Sequence, residues 1–276
     1  DHRFLTGVGQ YTDDVTLNGQ TFGVFVRSPH AHARIKGIDK AAALAAPGVL
    51  SVLDGADLAE AKVGGLPCGW LIHSKDGSPM KEPPHPVLAQ GKARFVGDAV
   101  ALVVAETYLQ ARDAAELVAV DYDVLPAVVD IERALDPDAP RVHDDLDSNL
   151  AAGVHQAKGD YATARASADV VIKRRFVYDR GPSAAMENRG VVAQWDARAG
   201  KLTVWDTTQA PVVIRNGLAG MLGLSEHQVR VIAPFIGGGF GPKIMMFYPE
   251  EVLVPWVAMR LNRPVKWIED RAENFY

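Results

Sequence analysis

Short apolar runs alternate with short helical patterns along the first half of the chain. The apolar runs are rich in β-branched residues and predict strands at residues 22–27, 49–53, 96–105 and 118–122. Between the last two runs, Thr107 can cap a helix over about residues 108–117. Strands interleaved with helices at this spacing predict a mixed domain, α+β or α/β, over residues 1–135.

The second half of the chain has a different pattern. Residues 136–160 are rich in Asp, Pro and Asn and show no periodicity, so we interpret them as a linker. Beyond them the patterns predict strands at residues 169–178, 190–195, 201–206 and 265–270, and helices at residues 211–222 and 248–261. We therefore predict a second domain over residues 161–276, and we expect the two domains to be separate packed units joined across the linker.

Composition excludes several classes of protein. The 276 residues can bury a sizeable core, and the single cysteine, Cys68, excludes an intrachain disulfide and a cysteine-only metal cluster. We interpret Cys68 as a core or loop residue rather than a catalytic thiol. The net charge of −5 is spread along the chain without a basic, aromatic-rich run, so nucleic acid is not an expected partner. No apolar run approaches the roughly 18 residues of a membrane span, and no signal-peptide pattern is present, so we expect a cytoplasmic location.

The most informative segment is residues 236–243, in which three consecutive glycines precede Phe240. The β-rich run at 228–234 predicts a strand that leads into this turn. Because glycine has no Cβ, an anion or an oxo group can approach the backbone N–H donors of such a turn closely. The glycines could equally form a tight turn that lets two strands pack together. The residues alone leave both interpretations open.

Several short motifs resemble those of one enzyme family, and they occur in order along nearly the whole chain. They lie at residues 3–7, 11–14, 26–33, 96–101, 121–126, 186–190, 208–211, 236–243 and 264–271. Together they resemble the molybdenum-binding large subunit of the xanthine dehydrogenase, aldehyde oxidase and aerobic carbon monoxide dehydrogenase family. The resemblance implies an α+β fold, with an N-terminal α/β hammerhead domain over residues 1–135. Residues 161–276 would then be the first, incomplete part of a molybdopterin-binding domain.

The resemblance also implies a reaction and its cofactors. Members of the family carry out oxidative hydroxylation with water as the oxygen source, here of an aldehyde, an N-heterocycle or carbon monoxide. The implied cofactor is molybdenum–molybdopterin in the cytosine dinucleotide form, with iron–sulfur clusters and FAD on partner chains or domains. The implied partners are the remaining part of the large subunit, an iron–sulfur subunit, an FAD subunit and a small-molecule substrate.

Two segments match the family's cofactor contacts. Gln209 matches a glutamine near an apical ligand of the metal, where its amide can donate to an oxo group. Alternatively, Gln209 is only a polar residue at the entry of a helix. The backbone contacts of the family match Gly238, Gly239, Phe240 and Gly241. No side chain is expected to bind the metal directly. We expect Gln209 and Phe240 to converge in space, because an oxo group requires several neutral donors aimed at one point.

The chain also departs from the family pattern. Ile244 stands where xanthine-oxidising members carry a glutamate, and an apolar side chain cannot satisfy the polar edge of a purine. We therefore assign Ile244 to the substrate pocket and disfavour purine oxidation. Pro242 replaces a small or polar residue. The family's general base is expected beyond Tyr276, so we predict no catalytic residue within this chain. We interpret the chain as a fragment or a natural split subunit that is inactive alone.

Two other functions are possible for these residues. The same fold could serve as a cofactor-free binding or assembly module. The glycine turn could also be a nucleotide phosphate loop, although Lys243 is followed by Ile244 rather than Ser or Thr and the glycine spacing does not match.

Six further residues have simpler interpretations. On a strand, His30 and His32 would share a face, which could suit a metal, but we assign them structural or solvent roles. Glu250 lies with Glu251 at the start of an apolar helix, where the helix dipole favours carboxylates. Glu187 and Arg189 could form an ion pair near the site or at a strand end, and we expect the strand-end pair.

Overall fold

The computed structural model describes residues 2–179, 181–244 and 247–276. Its strands are β1 (Thr21–Arg27), β2 (Ala33–Asp39), β3 (Val49–Asp54), β4 (Lys92–Ala93), β5 (Ala99–Ala105), β6 (Ala119–Val124), β7 (Gly190–Asp196), β8 (Lys201–Asp206), β9 (Val229–Ile232) and β10 (Val265–Ile268). Its α-helices are α1 (His2–Leu5), α2 (Ala41–Leu44), α3 (Gly55–Glu60), α4 (Tyr108–Glu116), α5 (Tyr161–Ala166), α6 (Pro211–Leu222) and α7 (Pro249–Leu261). Short 3₁₀ turns lie at Thr12–Asp14, Glu226–Gln228 and Glu273–Phe275. None of the helices described is long and apolar enough to span a bilayer.

One seven-stranded sheet runs through both halves of the chain, in the order β3-β5-β1-β10-β7-β8-β9. Within it, β1 from the first half pairs in parallel with β10 from the second half, with Thr21 opposite Val265. The expectation that the halves are separate packed units is therefore wrong. The pairing covers the first two residues of β1, Thr21 and Phe22, whose backbone groups on that edge gain partners from β10.

The hydrophobic core is likewise shared. Phe25 of β1 packs edge to face on Trp267 of β10, with ring centroids 5.9 Å apart. All seven residues of β5 are buried, and three of them, Ala99, Leu102 and Val104, join a cluster that includes buried residues of α7. Side chains from both halves thus remove each other's apolar surface from water, which favours one packed body.

A smaller, three-stranded sheet belongs to the first half alone, in the order β4-β2-β6. The patterns did not predict β2, because its pairing with β6 shifts register between Ile35 and Gly37 and breaks the alternation. Within the described residues, no strand or helix lies between β6 and α5. The limits of the linker at 136–160 and of the two domains stay a prediction.

Most elements predicted in the second half are confirmed, but one strand is not. The hairpin of β7 and β8, helices α6 and α7, and β10 all form. Residues 169–178 form no strand, and Phe176 and Tyr178 are 89% and 99% exposed. The alternating pattern there lacks a partner strand in this structure, and a strand gains its hydrogen bonds only by pairing.

A buried network of ion pairs fixes the start of α7 against the large sheet. Glu250 is 1% exposed and binds Arg27 of β1 at 2.6 Å and Arg189 at 3.2 Å. Arg189 also binds Glu269 at 2.7 Å. The burial of a carboxylate at Glu250 is therefore explained by its pairing with two arginines, and not by the helix dipole alone. The expected pair between Glu187 and Arg189 is wrong, because each residue has its own oppositely charged partners.

Candidate functional site

The glycine turn leaves the end of β9 and leads towards α7. Gly238 and Gly241 have φ angles of 104° and 103°, a region that L side chains rarely adopt. Phe240 has a φ angle of 50°, in the left-handed region, and its side chain is 70% exposed. A bulky residue in this conformation requires support from surrounding contacts. The turn is therefore a shaped segment whose neighbours determine its form.

Gln209 lies on the loop that leaves β8, beside this turn. Because β8 and β9 are parallel neighbours, their carboxyl ends deliver the loop and the turn to the same edge of the sheet. The backbone N–H of Gln209 donates to the carbonyl oxygen of Lys243 at 2.6 Å. The N–H of Gly241 donates to Gln209 Oε1 at 3.4 Å. The predicted convergence of Gln209 with the turn is confirmed.

The glycines are required in part by the protein's own side chains. A Cβ added at Gly239 would overlap the side chain of Gln209, and one at Gly237 would lie 2.6 Å from the Cβ of Glu187. The N–H of Gly237 donates to Glu187 Oε2 at 2.7 Å. Neither strand-on-strand packing nor an open row of amides describes the turn completely, because two side chains already lie against its backbone.

Three amides in the middle of the turn remain available to a ligand. Among residues 2–179, 181–244 and 247–276, the N–H groups of Gly238, Gly239 and Phe240 form no hydrogen bond. Gln209 uses its carbonyl oxygen for Gly241, which leaves its NH₂ group as the donor end of the amide. Neutral donors on two adjoining segments fit an oxo group or an anion.

Buried ionisable groups lie beneath the turn. Lys243 is 4% exposed, and its Nζ donates to the carbonyl oxygen of Glu187 at 2.8 Å and to its Oε2 at 3.2 Å. Burial lowers the pKa of Lys243, and the charge of Glu187 opposes this shift. The site therefore contains a lysine and a glutamate that the sequence patterns did not single out together.

Two further carboxyl groups, those of Asp206 and Glu251, are buried. Asp206, the last residue of β8, is 1% exposed, and burial raises its pKa to about 7 against the opposing charges of Arg189 and Lys243. Burial and the charge of Asp206 raise the pKa of Glu251 well above its usual value. These shifts favour retention of a proton on this pair near neutral pH. Two features of the sequence could have indicated that these carboxyl groups lie near the site: Asp206 ends a strand just before Gln209, and Glu251 lies at the start of an apolar helix.

The other residues singled out from the sequence lie as follows. Ile244 is 42% exposed at the end of the turn, and its N–H donates to the carbonyl oxygen of Gly241 at 3.0 Å. His32 shares a hydrogen bond of 2.8 Å between Nδ1 and the carbonyl oxygen of Pro126. His30 packs edge to face on Tyr122 at 5.0 Å. Both histidines thus have structural contacts, as expected.

Comparison with known proteins defines the class of this fold. Residues 6–126 match the family described as the aldehyde oxidase and xanthine dehydrogenase a/b hammerhead domain, and residues 142–276 match the molybdopterin cofactor-binding domain. The crystal structure of quinoline 2-oxidoreductase from Pseudomonas putida 86 is 41% identical with a TM-score of 0.91, covering 100% of this chain and 34% of that chain.

Curated relatives agree with this assignment. The carbon monoxide dehydrogenase large chain of Afipia carboxidovorans is 42% identical over 99% of this chain and 34% of that protein. The nicotine 6-hydroxylase large subunit of Paenarthrobacter nicotinovorans is 37% identical over 99% of this chain and 33% of that protein. The chain belongs to the xanthine dehydrogenase, aldehyde oxidase and carbon monoxide dehydrogenase family, and it spans about a third of the length of these relatives. The predicted family and fold class are confirmed.

Proposed function

We propose that this chain forms the hammerhead domain and part of the cofactor site in the large subunit of a molybdenum hydroxylase. The enzyme would oxidise an aldehyde, an N-heterocycle or carbon monoxide with water as the oxygen source. The observation that carries this proposal is the meeting of Gln209 with the glycine turn at one edge of the sheet. Family membership supports it, since the matched structures include a Cu,Mo-CO dehydrogenase that is 42% identical to this chain.

The donor set of the site fits the molybdopterin cofactor. The NH₂ group of Gln209 and the amides of Gly238, Gly239 and Phe240 would hold oxygen atoms carried by the cofactor. Neutral donors suit such oxygens, whereas a glutamate in place of Gln209 would repel them. When bound, the cofactor supplies a molybdenum centre for two-electron oxidation. This chain's own residues orient that centre and provide fixed donors that need no rearrangement during the reaction.

Ile244 supports a substrate other than a purine. Its partly exposed side chain beside the turn offers no hydrogen-bonding group for the polar edge of a purine. The relatives point in the same direction, because identity falls from 42% for the carbon monoxide dehydrogenase large chain to 30% for the putative xanthine dehydrogenase subunit XdhA of Escherichia coli. The assignment of Ile244 to the substrate pocket is part of this proposal.

The proposal extends to cofactor form and partners. The cofactor would be the cytosine dinucleotide, and an iron–sulfur subunit and an FAD subunit would carry electrons away. The remaining part of the large subunit would supply the general base and the rest of the cofactor site. The cytoplasmic location stays a prediction. A cofactor-free assembly module is not favoured, because the relatives are oxidoreductases.

Metal analysis of the complete large subunit, purified natively, tests the proposed function. We expect stoichiometric molybdenum, together with dye reduction that depends on an aldehyde, an N-heterocycle or carbon monoxide and is weak with hypoxanthine. Product oxygen should come from isotopically labelled water. A folded, natively purified subunit without molybdenum would instead support the assembly module, and strong turnover of hypoxanthine would contradict the role given to Ile244.

A further inference from the structure

Glu187 forms two hydrogen bonds with Gly237, the first glycine of the turn. Its backbone N–H donates to the carbonyl oxygen of Gly237 at 3.1 Å, and its carboxylate accepts from the N–H of Gly237 at 2.7 Å. The two residues are packed so closely that a Cβ at Gly237 would lie 2.6 Å from the Cβ of Glu187. The entry to the turn is therefore fixed by one residue that lies 50 positions away in sequence.

Lys243 holds the exit of the turn. Its ammonium group donates to the carbonyl oxygen and to the carboxylate of Glu187, at 2.8 and 3.2 Å. Its own carbonyl oxygen accepts from the N–H of Gln209 at 2.6 Å, and the hydroxyl of Thr208 lies 3.5 Å away. One buried residue thus connects Glu187, the turn and the Gln209 loop.

Such a pair is costly for an ordinary surface turn. Lys243 is 4% exposed, and its side chain and that of Glu187 are 2% and 16% exposed. A buried ammonium group loses its hydration and is tolerated only with a well-placed partner. Glycine-rich backbone has wide conformational freedom, so a turn with three consecutive glycines would sample many shapes if its two ends were released.

We propose that Glu187 and Lys243 are positioning residues, which hold the glycine turn and Gln209 in the relative placement that the cofactor requires. The inference rests on the proposed function, and it adds two residues that do not themselves face the cofactor oxygens. The pair connects Gly237 at the entry of the turn with Lys243 at its exit. This connection keeps the amides of Gly238, Gly239 and Phe240 beside the Gln209 amide. The donors are then preorganised before the cofactor binds.

The test compares the complete large subunit, in its native complex, with the double variant E187Q/K243M. This variant removes both charges together, so that no unpaired buried charge destabilises the fold. The glutamine can still accept from the N–H of Gly237. We expect a melting temperature close to that of the parent, but roughly tenfold or more loss of molybdenum per polypeptide, as is typical when outer-shell partners are removed. The remaining molybdenum should give an altered electron paramagnetic resonance spectrum.

A second variant and a control complete the design. E187D keeps both charges but withdraws the carboxylate by one methylene, and we expect it to fold with reduced molybdenum content. Should the double variant not fold, E187D decides the question alone. The control R215M/E226Q removes an ion pair whose side chains are 38% and 60% exposed, and it should keep the parental molybdenum content and spectrum.

The outcomes separate the two proposals. Parental molybdenum content and an unchanged spectrum in folded E187Q/K243M, or in E187D when the double variant does not fold, would overturn the positioning role and leave the proposed function intact. Absence of molybdenum from the unsubstituted subunit would overturn the proposed function, and the positioning role with it.

Discussion

The backbone of Gly239 lies directly against the side chain of Gln209, with no room for a methyl group between them. The glycine therefore serves the protein's own glutamine as well as any ligand. The sequence could predict that Gln209 and the turn meet, because a family motif marked each of them. It could not show that Gln209 itself occupies the space above Gly239, since that contact depends on side-chain packing.

Substitution of Gly239 by alanine tests this contact. In the complete subunit, G239A should displace Gln209 and lower turnover roughly ten- to a thousandfold, the range for loss of one preorganised donor. Q209A should show a similar loss, and the double variant little more than either. G220A provides the control, because a Cβ there meets nothing within 4 Å on α6 and should stabilise the helix by about 1 kcal/mol. Normal turnover of G239A would contradict the shared-site interpretation.

Asp206 makes stability depend on pH. Its pKa of about 7 lies above the ordinary value of 3.8, so the folded chain retains a proton that the unfolded chain releases. This contribution to stability is full at low pH and is lost as the pH rises through about 7. The raised pKa of Glu251 gives stability the same dependence on pH. The positive charges of Arg189 and Lys243 partly offset the rise in the pKa of Asp206.

D206N removes the charge that forms at high pH. Relative to the parent, the variant should gain stability between pH 5 and pH 8, on the order of 2 kcal/mol. Melting temperatures across this range measure the difference. The matched control is D196N, which removes an exposed carboxylate from the β7–β8 hairpin. A parallel pH profile for D206N and its parent would show that Asp206 is not protonated in the folded state.

At the scale of elements, sequence patterns predicted those helices and strands that interactions within the segment determine. The β7–β8 hairpin, α6 and α7 formed as expected, since their periodicity and end signals lie within each segment. Residues 169–178 have a strand pattern but no partner strand in this structure. In β2, a register shift interrupts the alternation of apolar and polar residues, so the pattern did not predict the strand. Glu187 and Lys243 lie 56 positions apart, so no spacing rule could join them.

The start of α7 provides a test of element packing. Glu250 is buried between Arg27 and Arg189; burial would raise its pKa, but the two arginines hold it below the usual value. E250Q would leave these two cations with one carboxylate fewer and should cost about 3 kcal/mol in the free energy of unfolding. The control E226Q, in an exposed pair with Arg215, should cost less than about 1 kcal/mol. Chemical denaturation of both variants measures the difference, and equal losses would refute the structural role of the network.

At the scale of the whole molecule, one sheet and one core join the two halves, while the candidate site lies at one sheet edge and is open there. Phe240 is 70% exposed and Ile244 is 42% exposed, as expected for a site that further polypeptide would complete. The order of motifs predicted the family and fold class but not the single sheet that joins the two halves. The sequence within β1 or within β10 does not indicate that these two strands pair.

Expressed without further polypeptide, the 276-residue chain should be catalytically inert. The general base and much of the cofactor surface are expected elsewhere in the large subunit. Substrate-dependent dye reduction by the isolated, folded chain would contradict this prediction. Dye reduction by the complete complex under the same conditions is the positive control.

The pairing of β1 with β10 also sets an order for biosynthesis. Thr21 binds the carbonyl oxygen of Pro264 across 243 positions, so β1 leaves the ribosome long before its second neighbour exists. Until then the nascent chain carries an open strand edge, a state that invites mispairing and engagement by chaperones. A chain that ends at residue 135 should therefore aggregate, whereas supplying residues 136–276 in trans should recover soluble protein. Sedimentation of the two preparations distinguishes these outcomes, and a soluble monomer of residues 1–135 would show that the hammerhead half completes its fold before β10 is made.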